Sequence, residues 1–137
     1  MPPSPELLET WRAAVAVRKN AHAPYSRYLV GAALRLRAPD AVIAGCNVEN
    51  ASYGATICAE RNAIFAAVAA RGTPLDAVHM VLVTIAPAPP CGMCLQVLSE
   101  FFPPDFPIHL ATPETLGEAL RLDQLLPNRF RADQLPS

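Results

Sequence analysis

Val78-His79-Met80-Val81-Leu82-Val83-Thr84-Ile85 is a near-continuous apolar run, the pattern of a central strand covered on both faces. Elements on either side of it can be read outward from this anchor. Before it, Ile57 to Ala70 is apolar all round, which predicts a buried helix, stopped by Gly72-Thr73-Pro74. After it, Cys91 to Phe102 reads as a helix closed by Pro103-Pro104, and Ile108 to Ala111 as a short strand. Glu118 to Leu122 reads as a last strand, with a helical turn at Asp123 to Leu126. Nearer the start, Tyr28 to Arg37 alternates like a strand at its end, Pro39-Asp40 turns, and Val42 to Val48 predicts the second arm of a hairpin. Residues 5–20 read as a helix with Ser4 as N-cap, and Leu7, Leu8, Trp11, Ala14 and Val15 fall near helical spacing. The strand-helix-strand-helix-strand run predicts parallel pairing and helices on both sheet faces, an α/β fold.

The 137 residues match about one domain at roughly 150 residues each, so residues 1–137 are expected to form a single domain. The net charge is −1 and Lys19 is the only lysine. No basic stripe is available to track phosphates, which argues against a nucleic-acid partner. No apolar run approaches the roughly 18 residues of a membrane-spanning helix. Met1-Pro2-Pro3-Ser4-Pro5-Glu6 lacks the cationic and apolar blocks of a signal peptide. A cytoplasmic location is the expectation. Charged residues make up 17 %, against about 25 % in a typical soluble domain; so little charge on a small domain suggests apolar surface hidden between subunits.

Four cysteines need a reason: Cys46, Cys58, Cys91 and Cys94. In an intracellular chain, metal binding or catalysis explains them better than disulfides. Cys58-Ala59-Glu60 is followed, 33 positions after Cys58, by Pro90-Cys91-Gly92-Met93-Cys94. Cys91 and Cys94 are three apart in a first helical turn and share a face. Cys58 also sits at a helix start. The positive ends of two helix dipoles there favour thiolates. Three soft donors suit Zn²⁺, and three rather than four leave a position for water. Glu60, beside the first ligand, can take a proton from such a water and pass it on. The bland alternatives are a structural zinc or thiol cluster, and for Glu60 an acid that satisfies the helix dipole. A fourth ligand from Cys46 is arithmetically open, but a buried mid-strand thiol explains it better.

The pattern is similar to the P-C-x-x-C signature of zinc nucleobase deaminases in its three-cysteine form. Further stretches sharpen the likeness: Ala23-Pro24-Tyr25-Ser26, Val30-Gly31-Ala32-Ala33-Leu34, Gly45-Cys46-Asn47-Val48-Glu49-Asn50, Ser52-Tyr53-Gly54, Thr56-Ile57-Cys58-Ala59-Glu60-Arg61, Pro90-Cys91-Gly92-x-Cys94-x-Gln96-Val97-Leu98 and Leu125-Leu126-Pro127-x-x-Phe130. From about residue 6 to 130 the chain resembles the small homotetrameric cytidine deaminases. The resemblance implies a three-layer α/β/α sandwich with a mixed five-stranded sheet. It implies one Zn²⁺ per subunit on Cys58, Cys91 and Cys94, and Glu60 as the catalytic proton carrier. It also implies hydrolytic deamination of cytidine and 2′-deoxycytidine in pyrimidine salvage. The alternatives are a deaminase of a modified cytosine nucleoside or blasticidin S, and a non-enzymatic zinc-stabilised binding module.

Other roles follow from the same likeness. Asn47 and Glu49, two apart on an expected strand, leave one face and would grip sugar hydroxyls. Glu49 would also repel a 5′-phosphate, favouring nucleosides. Ala59 would offer its backbone N–H to the base carbonyl. Arg61 would offset the excess negative charge of three thiolates on a dication. Phe130 would close the cleft of a neighbouring subunit, and Tyr53 would line an interface. Two positions depart from the family pattern. Tyr28 stands where phenylalanine is usual and would stack on the pyrimidine; Leu95 stands where arginine is usual and removes one nearby positive charge. His22, His79 and His109 lie on no ligand spacing and read as structural or surface residues.

Overall fold

The computed structural model describes residues 2–136. Along them run α1 (Pro5–Arg18), β1 (Gly31–Leu36), β2 (Ala41–Cys46), α2 (Ala59–Arg71), β3 (Ala77–Val83), α3 (Gly92–Phe101), β4 (Pro107–Ala111), β5 (Ala119–Arg121) and α4 (Leu122–Leu125). The strands form one sheet of order β2-β1-β3-β4-β5. Only β3 and β4 pair in parallel, joined through α3; the other neighbours are antiparallel. The sheet is therefore mixed.

Strand alternation divides the core between two faces. Ala32, Leu34, Leu36, Met80, Leu82 and Ile108 pack under Ile64 of α2 and Leu98 of α3. Ala33, Val81, Val83 and Ala111 pack under Ala14 and Trp11 of α1. Every residue of β1 is buried, as a strand covered on both faces must be. The architecture is a three-layer α/β/α sandwich on a mixed five-stranded sheet, with β3 at its centre. Among the described residues, no helix is long and apolar enough to cross a membrane.

Several expected boundaries move. α1 stops at Arg18, two residues early, with Lys19 as its C-cap. β1 starts at Gly31 instead of Tyr28 because a side chain replaces the ladder: Val30 N–H donates to Asn47 Oδ1, and Asn47 Nδ2 donates to the Tyr28 carbonyl. β2 ends at Cys46, so Cys46 is a half-buried strand end and not a buried mid-strand thiol. Asn47 and Glu49 lie beyond the strand, in a strip where Val48 bridges both His22 and Ile57. α2 is not buried all round. Ala63, Ile64 and Ala67 face the sheet, whereas Phe65 is 45 % exposed, since nothing among the described residues covers the outer side of an outermost layer. Gly72 closes α2 with φ +68°, a conformation glycine adopts without strain.

Two glycines on the β1–β2 hairpin admit the helices. A Cβ on Gly45 would lie 2.5 Å from the Ala63 nitrogen of α2, and one on Gly31 would lie 2.1 Å from the Ala14 oxygen of α1.

Candidate active site

Two helix starts converge at one end of the sheet. Cys58 is the N-cap of α2 and Cys91 the N-cap of α3. Both therefore stand just before the first helical turn and not within it, as the sequence suggested. Cys94 follows in the first turn of α3. The three Sγ atoms lie within 4.8 Å of one another, with Cys58 and Cys91 at 3.8 Å. Among the described residues, Cys46 is not in this group.

The electrostatics separate the thiols. A hydrogen bond from Cys94, together with Arg61, pulls the Cys58 thiol down to about 5. The Cys94 thiol moves up, because it donates that hydrogen bond and is buried. Arg61 Nη2 donates to Cys58 Sγ at 3.5 Å, while its buried Nε has no hydrogen-bond partner. A cation turned onto sulfur stabilises thiolate over thiol. Three thiolate-capable donors on one small triangle fit a soft dication such as zinc. Leu95 is 6 % exposed and packs in the core with Leu98, where it brings no charge.

Glu60 is 4 % exposed. Burial is the main reason its carboxyl is pushed up to about 7, and the Cys58 charge adds to it. The group can therefore hold or release a proton near neutral pH. It lines a cleft of about 280 Å³ with Ser26, Tyr28, Asn47, Glu49, Thr84 and Cys91. That is the small end of the roughly 300–1,000 Å³ range of ligand pockets.

Tyr28 lies on the cleft rim, 40 % exposed. Asn47 and Glu49 reach the same cleft but are already engaged. Asn47 braces Val30 and Tyr28 as above. Glu49 Oε1 accepts from the backbone N–H groups of Tyr25 (2.9 Å) and Ser26 (3.1 Å), and Oε2 accepts from the Ser26 hydroxyl. These bonds, led by the hydroxyl, lower the Glu49 carboxyl below its ordinary range. Counting lone pairs and protons, Glu49 keeps one acceptor site on Oε2 and Asn47 keeps one N–H. Ala59 is fully buried in the first turn of α2. Phe130 does not line the cleft; the residue is 54 % exposed and its carbonyl accepts from Gln96 Nε2 at 2.9 Å.

Ser26, Thr56, Thr84 and Pro89 also line the cleft, and no role was read for them from sequence. Ser26 stood in a motif stretch, so its position was visible though its work was not. Thr84 directly follows β3, and the end of a sheet strand is where α/β clefts form; that signal was available.

The description "Cytidine and deoxycytidylate deaminase zinc-binding region" matches residues 6–110. The chain belongs to this deaminase family. A cytidine deaminase of Halalkalibacterium halodurans is 41 % identical over 122 residues, covering 89 % of this chain and 92 % of the relative. One from Mycobacterium tuberculosis is 42 % identical over 118 residues, covering 85 % and 84 %. The crystal structure of a Burkholderia pseudomallei cytidine deaminase superposes with a TM-score of 0.84 at 40 % identity, over 90 % of this chain and 98 % of that one. The mixed sheet and its flanking helices are thus those of the family.

Proposed function

We propose that this chain is a zinc-dependent cytidine deaminase that converts cytidine and 2′-deoxycytidine to the corresponding uridines, releasing ammonia. The observation that carries the reading is the buried Glu60 carboxyl, poised near neutral, in one cleft with Cys58 and Cys91. Cys58, Cys91 and Cys94 would hold the ion, which when bound supplies an acidified water as nucleophile and positive charge beside the reacting carbon. Glu60 accepts the proton of the attacking water and delivers it to ring N3, which makes C4 electrophilic. It then takes the proton of the new C4 hydroxyl and passes it to the exocyclic nitrogen, so that the C4 carbonyl forms as ammonia leaves. Arg61 spreads the thiolate charge. The buried first turn of α2 brings the Ala59 N–H toward the base carbonyl. Tyr28 covers one face of the pyrimidine. The free acceptor of Glu49 and the free N–H of Asn47 take sugar hydroxyls, and a site that pairs a hydroxyl rejects an analogue without it.

The assembly we propose is a homotetramer, supported by the exposed apolar side chains of Tyr53, Phe65 and Phe130. Phe130 then serves the cleft of a neighbouring copy. A small nucleoside is the partner, the cytoplasm is the location, and salvage of pyrimidines is the use. The test is incubation of the purified protein with cytidine, 2′-deoxycytidine, cytosine and blasticidin S, following the loss of ultraviolet absorbance. Turnover of the two nucleosides, abolished by a chelator and restored by zinc, is expected. Turnover of none of them, with zinc present, overturns the reading.

A further inference from the structure

Ser26 has both sides of its hydroxyl in use at the mouth of the cleft. It donates to Glu49 Oε2 and accepts from the backbone N–H of Tyr28 at 3.0 Å. Its own N–H binds Glu49 Oε1. The segment it belongs to contains Arg27 at φ +59°, a left-handed conformation that costs a non-glycine residue free energy and persists only when its surroundings impose it. Three side chains supply those surroundings, one of them Arg18, whose Nε–H donates to the Leu29 carbonyl at 2.9 Å. Glu49 holds Tyr25 and Ser26, and Asn47 holds Tyr28 and Val30. The segment between Ala23 and Val30 is otherwise fixed by few bonds of its own; one of them is Arg27 N–H to the Ala23 carbonyl at 2.9 Å.

We propose that Ser26 is the positioning residue that ties the sugar-facing carboxylate of Glu49 to the backbone N–H of Tyr28, so that one hydroxyl links the sugar half and the base half of the cleft. This rests on the cytidine deaminase reading given above. With the hydroxyl present, both Oε2 of Glu49 and the Tyr28 backbone are fixed before any ligand arrives, and ordering them is not charged to binding. Without it, Glu49 Oε2 loses its donor while Oε1 keeps two, and the Tyr28 N–H loses its acceptor while the Tyr28 carbonyl keeps Asn47, so both groups are held more loosely. Neither change touches the thiols or Glu60, so binding suffers and the chemical step does not.

The test compares wild type, Ser26→Ala and Ser26→Thr. Steady-state turnover of cytidine is measured beside equilibrium binding of uridine by calorimetry, which needs no catalysis. Ser26→Ala is expected to raise KM and the uridine Kd together by about ten-fold, the size of one hydrogen bond to a charged group, with kcat and zinc content within two-fold (roughly 0.4 kcal/mol) of wild type. Ser26→Thr, which keeps the hydroxyl, is expected to restore both constants. Unchanged KM and Kd in Ser26→Ala overturn the proposal. So does a fall in kcat at unchanged KM, or a threonine variant as weak as alanine. An inactive wild type that still binds zinc would instead overturn the functional reading, a result distinct from all of these.

Discussion

Two buried arginines sit on opposite faces of the same sheet and are treated differently. Arg35 points to the α1 side and is surrounded by carboxylates. Its Nη1 donates to Glu9 at 3.0 Å, its Nη2 to Asp40 at 2.9 Å, and Glu6 is 3.9 Å from Nε. Beside it in the sheet, His79 shares a 2.9 Å hydrogen bond with Thr10. The Nε atoms of both arginines lack a hydrogen bond, but that of Arg35 has a carboxylate oxygen, Asp40 Oδ1, at 2.9 Å. Arg61, on the α2 side, turns one amine to a sulfur at 3.5 Å. Next to it the buried Glu60 is raised towards neutrality. The first cluster surrounds its cation with carboxylates that reach solvent. The second holds weak acceptors and a carboxyl with a displaced pKa at a cleft wall. A cation matched by several carboxylates marks structure, whereas a cation set against thiols beside a carboxyl raised towards neutrality at a cleft wall marks a candidate site.

The comparison can be broken at several points. The largest expected effect is at Glu60. Glu60→Gln should lower kcat by about 10²–10⁴-fold, with zinc per chain by elemental analysis and thermal midpoint little changed. Wild-type turnover in that variant would mean the displaced carboxyl has no part in the reaction. Arg61→Gln should weaken zinc binding by about 10–100-fold, read by competition with a chromophoric chelator, and leave stability of the loaded protein nearly intact.

Arg35→Ala should do the reverse. It should cost about 1–3 kcal/mol of folding stability in urea and leave specific activity per folded molecule unchanged. The cost is moderate because Glu6, Glu9 and Asp40 are 46–67 % exposed on their side chains and are not stranded in the interior when the arginine goes. The smallest effect is at His79. Burial, and secondarily His109, depresses its pKa to about 4 from 6.5. Between these values the unfolded chain holds more protons than the folded one, so stability falls as pH drops from about 6.5 toward 4 and is unaffected above. His79→Asn should flatten the thermal midpoint against pH in that window, and an unchanged slope would remove His79 from the acid response.

Much of this was legible in the sequence, for identifiable reasons. The run at residues 78–85 has the pattern of a covered central strand, and β3 fills it as far as Val83; the three layers were implied by the family resemblance. The two cysteine motifs fixed which helix starts had to meet, and their sulfurs do lie together. What escaped were matters of side-chain substitution for backbone. Nothing in the pattern of Tyr28 to Arg37 says that Asn47 will replace the ladder at Val30, so β1 starts late. Nothing at Val42 to Val48 says that the strand hands over to a separate strip at Cys46. The apolar outer face of α2 also misled, because periodicity cannot distinguish a face buried by the same chain from one left for another. Ser26 was hidden because a serine in a loop carries no spacing signal, and its role appears only once Glu49 is folded over it.

Gly45 and Gly31, introduced as points of close approach, have a consequence for motion. They occupy neighbouring rungs of the same hairpin, Gly31 opposite Cys46 and Gly45 opposite Ala32, and one helix backbone presses on each. At this waist each helix backbone lies directly against the hairpin main chain. The first turn of α2, which carries Glu60, is thereby pinned to the sheet. The Glu60 backbone is thus held by the sheet, while the rim around Ser26 is held separately by its own bonds to Glu49.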